Sequence, residues 1–285
     1  MEIQKVGIVG LGTMGAGIAQ VSVQAGFETV GREVSAELGE RGRSTIEHYL
    51  GRAVEKGKLE AQERDAALDR LALTTDLGDF ADCDLVVEAV LEELPLKREV
   101  FAELDRVTRP DAILTTNTSA LSVSEIAEAT ERPERVVGMH FFNPAPVLPL
   151  VEIVRGAKSE EGAVRSAYEW AARARKQPVV CNDTPGFIVN RILIPLLNDC
   201  VRVLDEAGVT PEDLDKAMTN GAGWPMGPCA LVDLVGIDVH VHASEALYDK
   251  LREERMAPPG RLVAMQKDGR LGRKTGAGFF EYPRT

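Results

Sequence analysis

The chain has 285 residues, 27% of them charged and 44% hydrophobic, with 45 acidic against 33 basic side chains and a formal net charge of −12. That length and composition fit a globular protein of two domains. The acidic balance excludes a general nucleic-acid surface while leaving room for a local basic site that takes an anionic substrate. No apolar run is long enough to span a bilayer, and no internal repeat or low-complexity tract is visible.

Met1 leads almost directly into Val6-Gly7-Ile8-Val9, with no cationic leader, so a cytoplasmic protein is expected. The four cysteines, Cys83, Cys181, Cys200 and Cys229, have no metal-type spacing and read as reduced thiols, with no metal site expected. A short apolar strand ends in Gly10-Leu11-Gly12-Thr13-Met14-Gly15 and runs into a helix through Ala25. In this G-x-G-x-x-G arrangement Gly10 permits the tight turn, Gly12 lets a pyrophosphate approach the backbone, and Gly15 lets helix and strand pack closely. The phosphate then meets the positive end of the helix dipole.

A second strand, Glu28–Glu33, ends on the acid that would bond the adenosine ribose and repel a 2′-phosphate, favouring NAD. Gly31 and Arg32 stand where apolar residues are expected, and Arg32 offers a 2′-phosphate a partner, so NADP stays open as a cofactor. Ser35–Leu71 reads as a charged helical hairpin broken at Gly57, whose Arg52, Lys56 and Lys58 suit a phosphate-bearing substrate or simply a solvated face. Asp84–Val90 is a buried parallel strand, followed by Glu92 and a helix over Leu94–Val107 that carries Lys97. The strand Ala112–Thr116 ends in Asn117-Thr118-Ser119, polar residues at the carboxyl end where such sheets bind ligands, or turn and cap chemistry before the next helix.

Two ionisable residues then stand in apolar surroundings. His140 closes the run Val136–His140 before Phe141-Phe142-Asn143-Pro144, and Glu152 sits inside Leu150–Val154. A carboxylate there is costly without a partner, and His140 is the nearest candidate in sequence. A glutamate bonded to one imidazole nitrogen leaves the other aimed at a substrate; a structural pair, or a Glu on an exposed edge strand, are the alternatives. A helix over Ser159–Arg175 and a last strand, Gln177–Cys181, lead to Asn182–Gly186, where the β signal stops. Residues 1–184 therefore read as a Rossmann-type α/β domain and 185–285 as an all-helical domain, with helices over Phe187–Ala207, from Thr210, over Ala230–Leu251 and over Pro259–Lys267. The apolar helical half suggests a homodimer formed through it.

Taken together, Gly10–Ala19, Asn117-Thr118-Ser119, His140–Pro144, Asp183–Arg191, Pro225–Pro228 and Gly272–Gly276 resemble the 3-hydroxyacyl-CoA dehydrogenase family over nearly the whole chain, in order. The resemblance implies interconversion of (S)-3-hydroxyacyl-CoA and 3-oxoacyl-CoA, with an acyl-CoA substrate. It implies His140 as the catalytic base, Glu152 as its partner, and Ser119 and Asn190 around the reacting oxygen. On the cofactor side it falls on the glycine turn, Glu33, Glu92, Lys97, Asn117, Asn143 and Lys274, and at the CoA phosphates on Lys56. Asn190 opens the helical domain, so the resemblance further implies a site completed by both domains. Departures are Gly31-Arg32 beside the adenosine site, Tyr49 where a smaller hydroxyl residue is common, and Ala120 in place of a second serine. Rival readings are a dehydrogenase of a free hydroxy acid and a catalytically silent dinucleotide-binding protein.

Overall fold

The alternation of short apolar strands and amphipathic helices builds one sheet across the N-terminal part of the chain. A computed structural model describes residues 2–283. Its elements run β1 (Lys5–Val9), α1 (Thr13–Gln24), β2 (Glu28–Arg32), α2 (Ala36–Glu55), α3 (Ala61–Asp69) and β3 (Leu71–Thr74). They continue through β4 (Leu85–Glu88), α4 (Leu94–Val107), β5 (Ile113–Thr116), α5 (Val123–Ala127), β6 (Val136–Phe141), β7 (Leu150–Arg155), α6 (Glu161–Arg173) and β8 (Gln177–Asn182). The strand order is β3-β2-β1-β4-β5-β6-β7-β8. β1 to β6 are parallel, β7 is antiparallel to β6, and β8 is parallel to β7.

The central strands β4 and β5 are buried at every residue, as strands of a parallel sheet covered on both faces should be, Glu88 and two threonines included. The hairpin of α2 and α3 turns at Gly57 in a left-handed backbone. Ser35 caps α2 by accepting from Leu38 N–H, and Glu60 and Glu63 form a reciprocal capping box on α3. Gly31 is part of β2: a Cβ there would meet Leu11 Cδ1 at 2.8 Å, so its missing side chain makes room for Leu11 under the glycine turn.

Two expectations need correction. The charged helical stretch stops at Asp69, and Leu71–Thr74 is a strand beside β2, in register Thr29↔Leu71. Leu and Ala are good helix formers, and parallel pairing overrides their local preference. The helix expected over Ala230–Leu251 is two helices, because Gly236 adopts φ +101 between them.

The chain divides into two compact units, Met1–Thr184 and Pro185–Thr285. The second holds α7 (Val189–Ala207), α8 (Pro211–Gly221), α9 (Pro228–Val235), α10 (Ile237–Leu251) and α11 (Gly260–Lys267). α7 begins two residues after Phe187, whose φ of +49 lies outside the helical region. Leu197, Val201, Val232, Ile237, Val241 and Leu262 form its main core. Inside it a polar network is satisfied internally: His240 Nε2 and Asn198 Oδ1 are 2.8 Å apart, and Asn198 Nδ2 donates to Met256 O and Ser244 Oγ. Among the described residues no helix is long and apolar enough to cross a membrane.

Candidate active site

The turn between β1 and α1 has the shape a dinucleotide needs. Gly10 takes φ +87, and a Cβ on Gly15 would lie 1.7 Å from Gly10 O, so helix and strand meet at backbone distance. Gly12 caps α1 with no side chain, nothing lies within 4 Å of where its Cβ would be, and the first turn holds no acid. The leading N–H groups of α1 therefore face open space at the positive end of the helix, which fits a pyrophosphate. Leu11 is buried, Met14 packs against the core, and Thr13 lines a cavity. Glu33 follows β2: its Oε1 accepts Leu11 N–H at 2.6 Å and its Oε2 accepts Val34 N–H at 3.1 Å, bracing the turn from the end of β2. Arg32 Nε donates to Thr75 O at 3.3 Å.

Glu33 lines the same cavity, of about 1010 Å³, whose other wall is Arg41, Tyr49, Arg52, Lys56 and Lys58 of the helical hairpin. Asn143 closes it from the loop after β6. Four cations around one concave surface suit a polyanion in a chain whose net charge is −12. Tyr49 presents an exposed ring within it. Lys176 donates to the carbonyls of Ala145 and Leu148, clamping the loop that carries Asn143.

At the carboxyl ends of β4 and β5 lies a cluster of charges. Lys97, only 1% exposed, places Nζ 2.6 Å from Glu88 Oε1 and 3.2 Å from Glu92 Oε2. Glu88 also accepts from Thr116 Oγ1 and Val90 N–H. Glu92 Oε1 accepts from Thr118 Oγ1, from the N–H groups of Ser119 and Ala120, and at 3.3 Å from Ser119 Oγ. Burial opposes ionisation of Glu92, yet the Lys97 ammonium and these donors hold its carboxyl below the usual range. The predicted residues Glu92, Lys97 and Ser119 thus form one bonded group. Glu88 was not anticipated, although an acid ending the apolar strand Leu85-Val86-Val87 is the same anomaly that singles out Glu152.

His140 and Glu152 are cross-strand neighbours in the antiparallel register of β6 and β7. Nδ1 and Oε2 are 2.7 Å apart, both side chains are buried, and the Phe142 ring lies 4.5 Å from the imidazole. Side chains opposite each other in a ladder share one face, so the strand pairing itself makes the contact. Nδ1 is thus the imidazole nitrogen that faces the carboxylate. Asn117, predicted on the cofactor side, uses Oδ1 to accept Phe141 N–H at 2.9 Å. Asn190 and Lys274 belong to the second unit, where Asn190 is half-buried in the first turn of α7 and Lys274 Nζ lies 2.6 Å from the Asp238 carboxylate.

Residues 5–184 match the family model for the 3-hydroxyacyl-CoA dehydrogenase NAD binding domain, and residues 186–282 match that family's C-terminal domain. The chain is 46% identical to the 3-hydroxybutyryl-CoA dehydrogenase of Mycobacterium tuberculosis, over 98% of this chain and 99% of that one. It is 42% identical to the 3-hydroxyadipyl-CoA dehydrogenase of Escherichia coli, over 99% of this chain and 60% of that one. Among solved structures, the (S)-3-hydroxybutyryl-CoA dehydrogenase of Ralstonia eutropha superposes with a TM-score of 0.96 at 36% identity, over 99% of this chain and 100% of that one. A glycine turn fitted to a pyrophosphate, a basic cavity and a His–Glu pair thus sit in a chain matched end to end: it belongs to the 3-hydroxyacyl-CoA dehydrogenase family, with that family's NAD-binding domain and helical C-terminal domain.

Proposed function

We propose that this protein interconverts (S)-3-hydroxyacyl-CoA and 3-oxoacyl-CoA, with 3-hydroxybutyryl-CoA and acetoacetyl-CoA as its working pair and NAD preferred over NADP. The observation that carries this reading is the buried His140–Glu152 contact at 2.7 Å, beside a dinucleotide-shaped turn. NAD, when bound, supplies the hydride acceptor. His140, through Nε2, takes the proton of the 3-hydroxyl in the oxidative direction and returns it in the reductive one. Glu152 fixes the tautomer and stabilises the imidazolium that forms. Ser119 and Asn190 donate to the oxygen on which charge develops, and the Ser119 hydroxyl, which lies 3.3 Å from Glu92, turns from that weak bond to do so.

Lys56 and its basic neighbours take the CoA phosphates. Glu33, Glu92, Lys97, Asn117 and Asn143 take the cofactor with the turn Gly10–Gly15, and Lys274 joins them from the helical domain. In this reading residues 1–184 form the cofactor domain, and residues 185–285 supply Asn190, cover the substrate and pair with a second copy of the chain.

The test is an absorbance trace of NADH with acetoacetyl-CoA added. Rapid oxidation is expected, with (S)-3-hydroxybutyryl-CoA as product. No oxidation with short acyl-CoA esters, together with brisk turnover of a free hydroxy acid, would replace this reading by its rival within the dehydrogenases. Binding of NADH without turnover of either substrate class would leave a silent dinucleotide-binding protein.

A further inference from the structure

The fully buried Glu88 has no place in the chemistry above. It lies at the carboxyl end of β4, opposite Val9 of β1 on one side and Thr116 of β5 on the other. Its side chain is 0% exposed and that of Lys97 is 1% exposed, while Glu92, the third member, is 33% exposed and faces outward. Two carboxylates and one ammonium give the cluster a formal charge of −1. The charges of Glu88 and Lys97, held this far from water, are little screened by solvent or salt.

The position of that charge decides its use. The pyrophosphate fits the α1 N-terminus, and Glu33 after β2 marks the adenosine half. A dinucleotide crosses the sheet at the point where the strand order reverses, so its other half runs over the ends of β4 and β5. Glu88, Glu92 and Ser119 stand there. The nicotinamide ring is a cation when oxidised and neutral when reduced, so a buried negative charge distinguishes the two forms without touching either.

We propose that Glu88 is a specificity-determining residue for the oxidation state of the cofactor: through the net charge of the Glu88–Lys97–Glu92 cluster it favours NAD+ relative to NADH. This rests on the dinucleotide reading of the β1–α1 turn.

The experiment is a pair of dissociation constants on the full-length protein, NADH by fluorescence titration and NAD+ by its displacement. Glu88→Gln makes the cluster formally neutral and keeps the side chain's size. The ratio Kd(NAD+)/Kd(NADH) is expected to rise about three- to tenfold, the range for one unit charge roughly 10 Å away at an effective dielectric of roughly 25 to 50, between a protein interior and water. Glu88→Asp retains the charge and should keep the ratio within about twofold of the wild type. The double variant Glu88→Gln/Lys97→Met leaves Glu92 alone, returns the formal charge to −1, and should bring the ratio back although absolute affinity falls. A purely structural role predicts parallel weakening of both cofactors, with the double variant no better than the single one, and that result overturns the proposal. Should Glu88→Gln fail to fold, Glu92→Gln makes the same charge change at a partly exposed side chain, and an unchanged ratio there overturns the proposal equally. Wild-type protein that bound neither cofactor would strike the dinucleotide reading itself; normal wild-type binding with an unmoved ratio strikes only Glu88.

Discussion

Asn117 Oδ1 accepts the backbone N–H of Phe141 at 2.9 Å, which ties the turn after β5 to the residue beside His140. The bond fixes the spacing between the polar turn and the imidazole, and misplacement of a reacting group by an ångström costs about 100-fold in rate. Asn117→Ala should therefore lower kcat/KM by roughly that factor while the melting temperature drops only a few degrees. Asn117→Asp keeps the acceptor and should recover most of the loss. Steady-state kinetics beside a thermal melt separate the two effects.

The His140–Glu152 pair predicts non-additive losses. His140→Ala removes the proposed proton acceptor and should cost about 100- to 10,000-fold in kcat/KM. Glu152→Gln keeps the shape and removes the charge, with a smaller loss. Groups that act as one unit do not add, so the double variant should be little worse than His140→Ala. All three should still bind NADH, because the turn Gly10–Gly15 and Glu33 follow β1 and β2, away from β6 and β7. Losses that simply multiply would show that Glu152 does not work through His140.

Cofactor choice is expected to turn on two adjacent residues. A carboxylate at Glu33 repels a 2′-phosphate at close range, while Arg32 Nε is held by the Thr75 carbonyl. Catalytic efficiency with NADH should exceed that with NADPH by at least about tenfold, the equivalent of roughly 1.4 kcal/mol. Glu33→Ala should shrink the ratio and also slacken the glycine turn, since it removes the acceptor for Leu11 N–H. Equal efficiency in the wild type would hand selectivity to Arg32, and Arg32→Val should then restore discrimination.

Acid sensitivity is expected from His240. Burial pushes its pKa down to about 4, against 6.5 for a free imidazole. The unfolded chain thus takes up the proton first, and stability falls with falling pH. The contribution is fully present above about pH 6.5 and is lost as the pH drops through about 4, worth on the order of 3 kcal/mol. His240→Gln keeps a hydrogen-bonding side chain and has no such titration. Its melting temperature should decline less than that of the wild type between roughly pH 7 and pH 4.5, whereas parallel declines would remove His240 as the cause.

Self-association is the remaining expectation. The helical unit exposes Ile192 on α7, Leu234 and Val235 on α9 and Val239 on α10, each at least 43% accessible. Exposed apolar side chains of this kind are what contact with a second copy would cover. Sedimentation at micromolar concentration should give twice the 30.9 kDa of one chain. A single species at 30.9 kDa excludes a dimer under those conditions.

What could be read from the residues alone divides along physical lines. The β1–α1 turn is encoded locally, because its glycines answer to backbone distances within a few residues. His140 and Glu152 stood out as ionisable groups in apolar runs, a cost that demands a partner, and the contact itself is made by neighbouring strands. Glu88 carries the same signal but ends its strand, where an acid looks like the start of a loop. The strand Leu71–Thr74 was hidden because its composition suits a helix and only pairing with β2 makes it extended. The break at Gly236 was hidden for a related reason: one glycine costs a helix about 1 kcal/mol, which does not announce a left-handed turn.

The helical hairpin of α2 and α3 packs against α1 and the edge strand β3 at one side of the sheet, while the histidine and glutamate face each other across β6 and β7. Under the proposed function, recognition of the carrier and handling of the proton fall to separate stretches of chain, linked by the intervening strands and by the loop after β6, whose Asn143 lines the hairpin's cavity. On that proposal an exchange of the hairpin between relatives is a modular operation: it should re-address the protein to a different handle on the substrate while the His140–Glu152 contact, set by the ladder of β6 and β7, passes from parent to chimera.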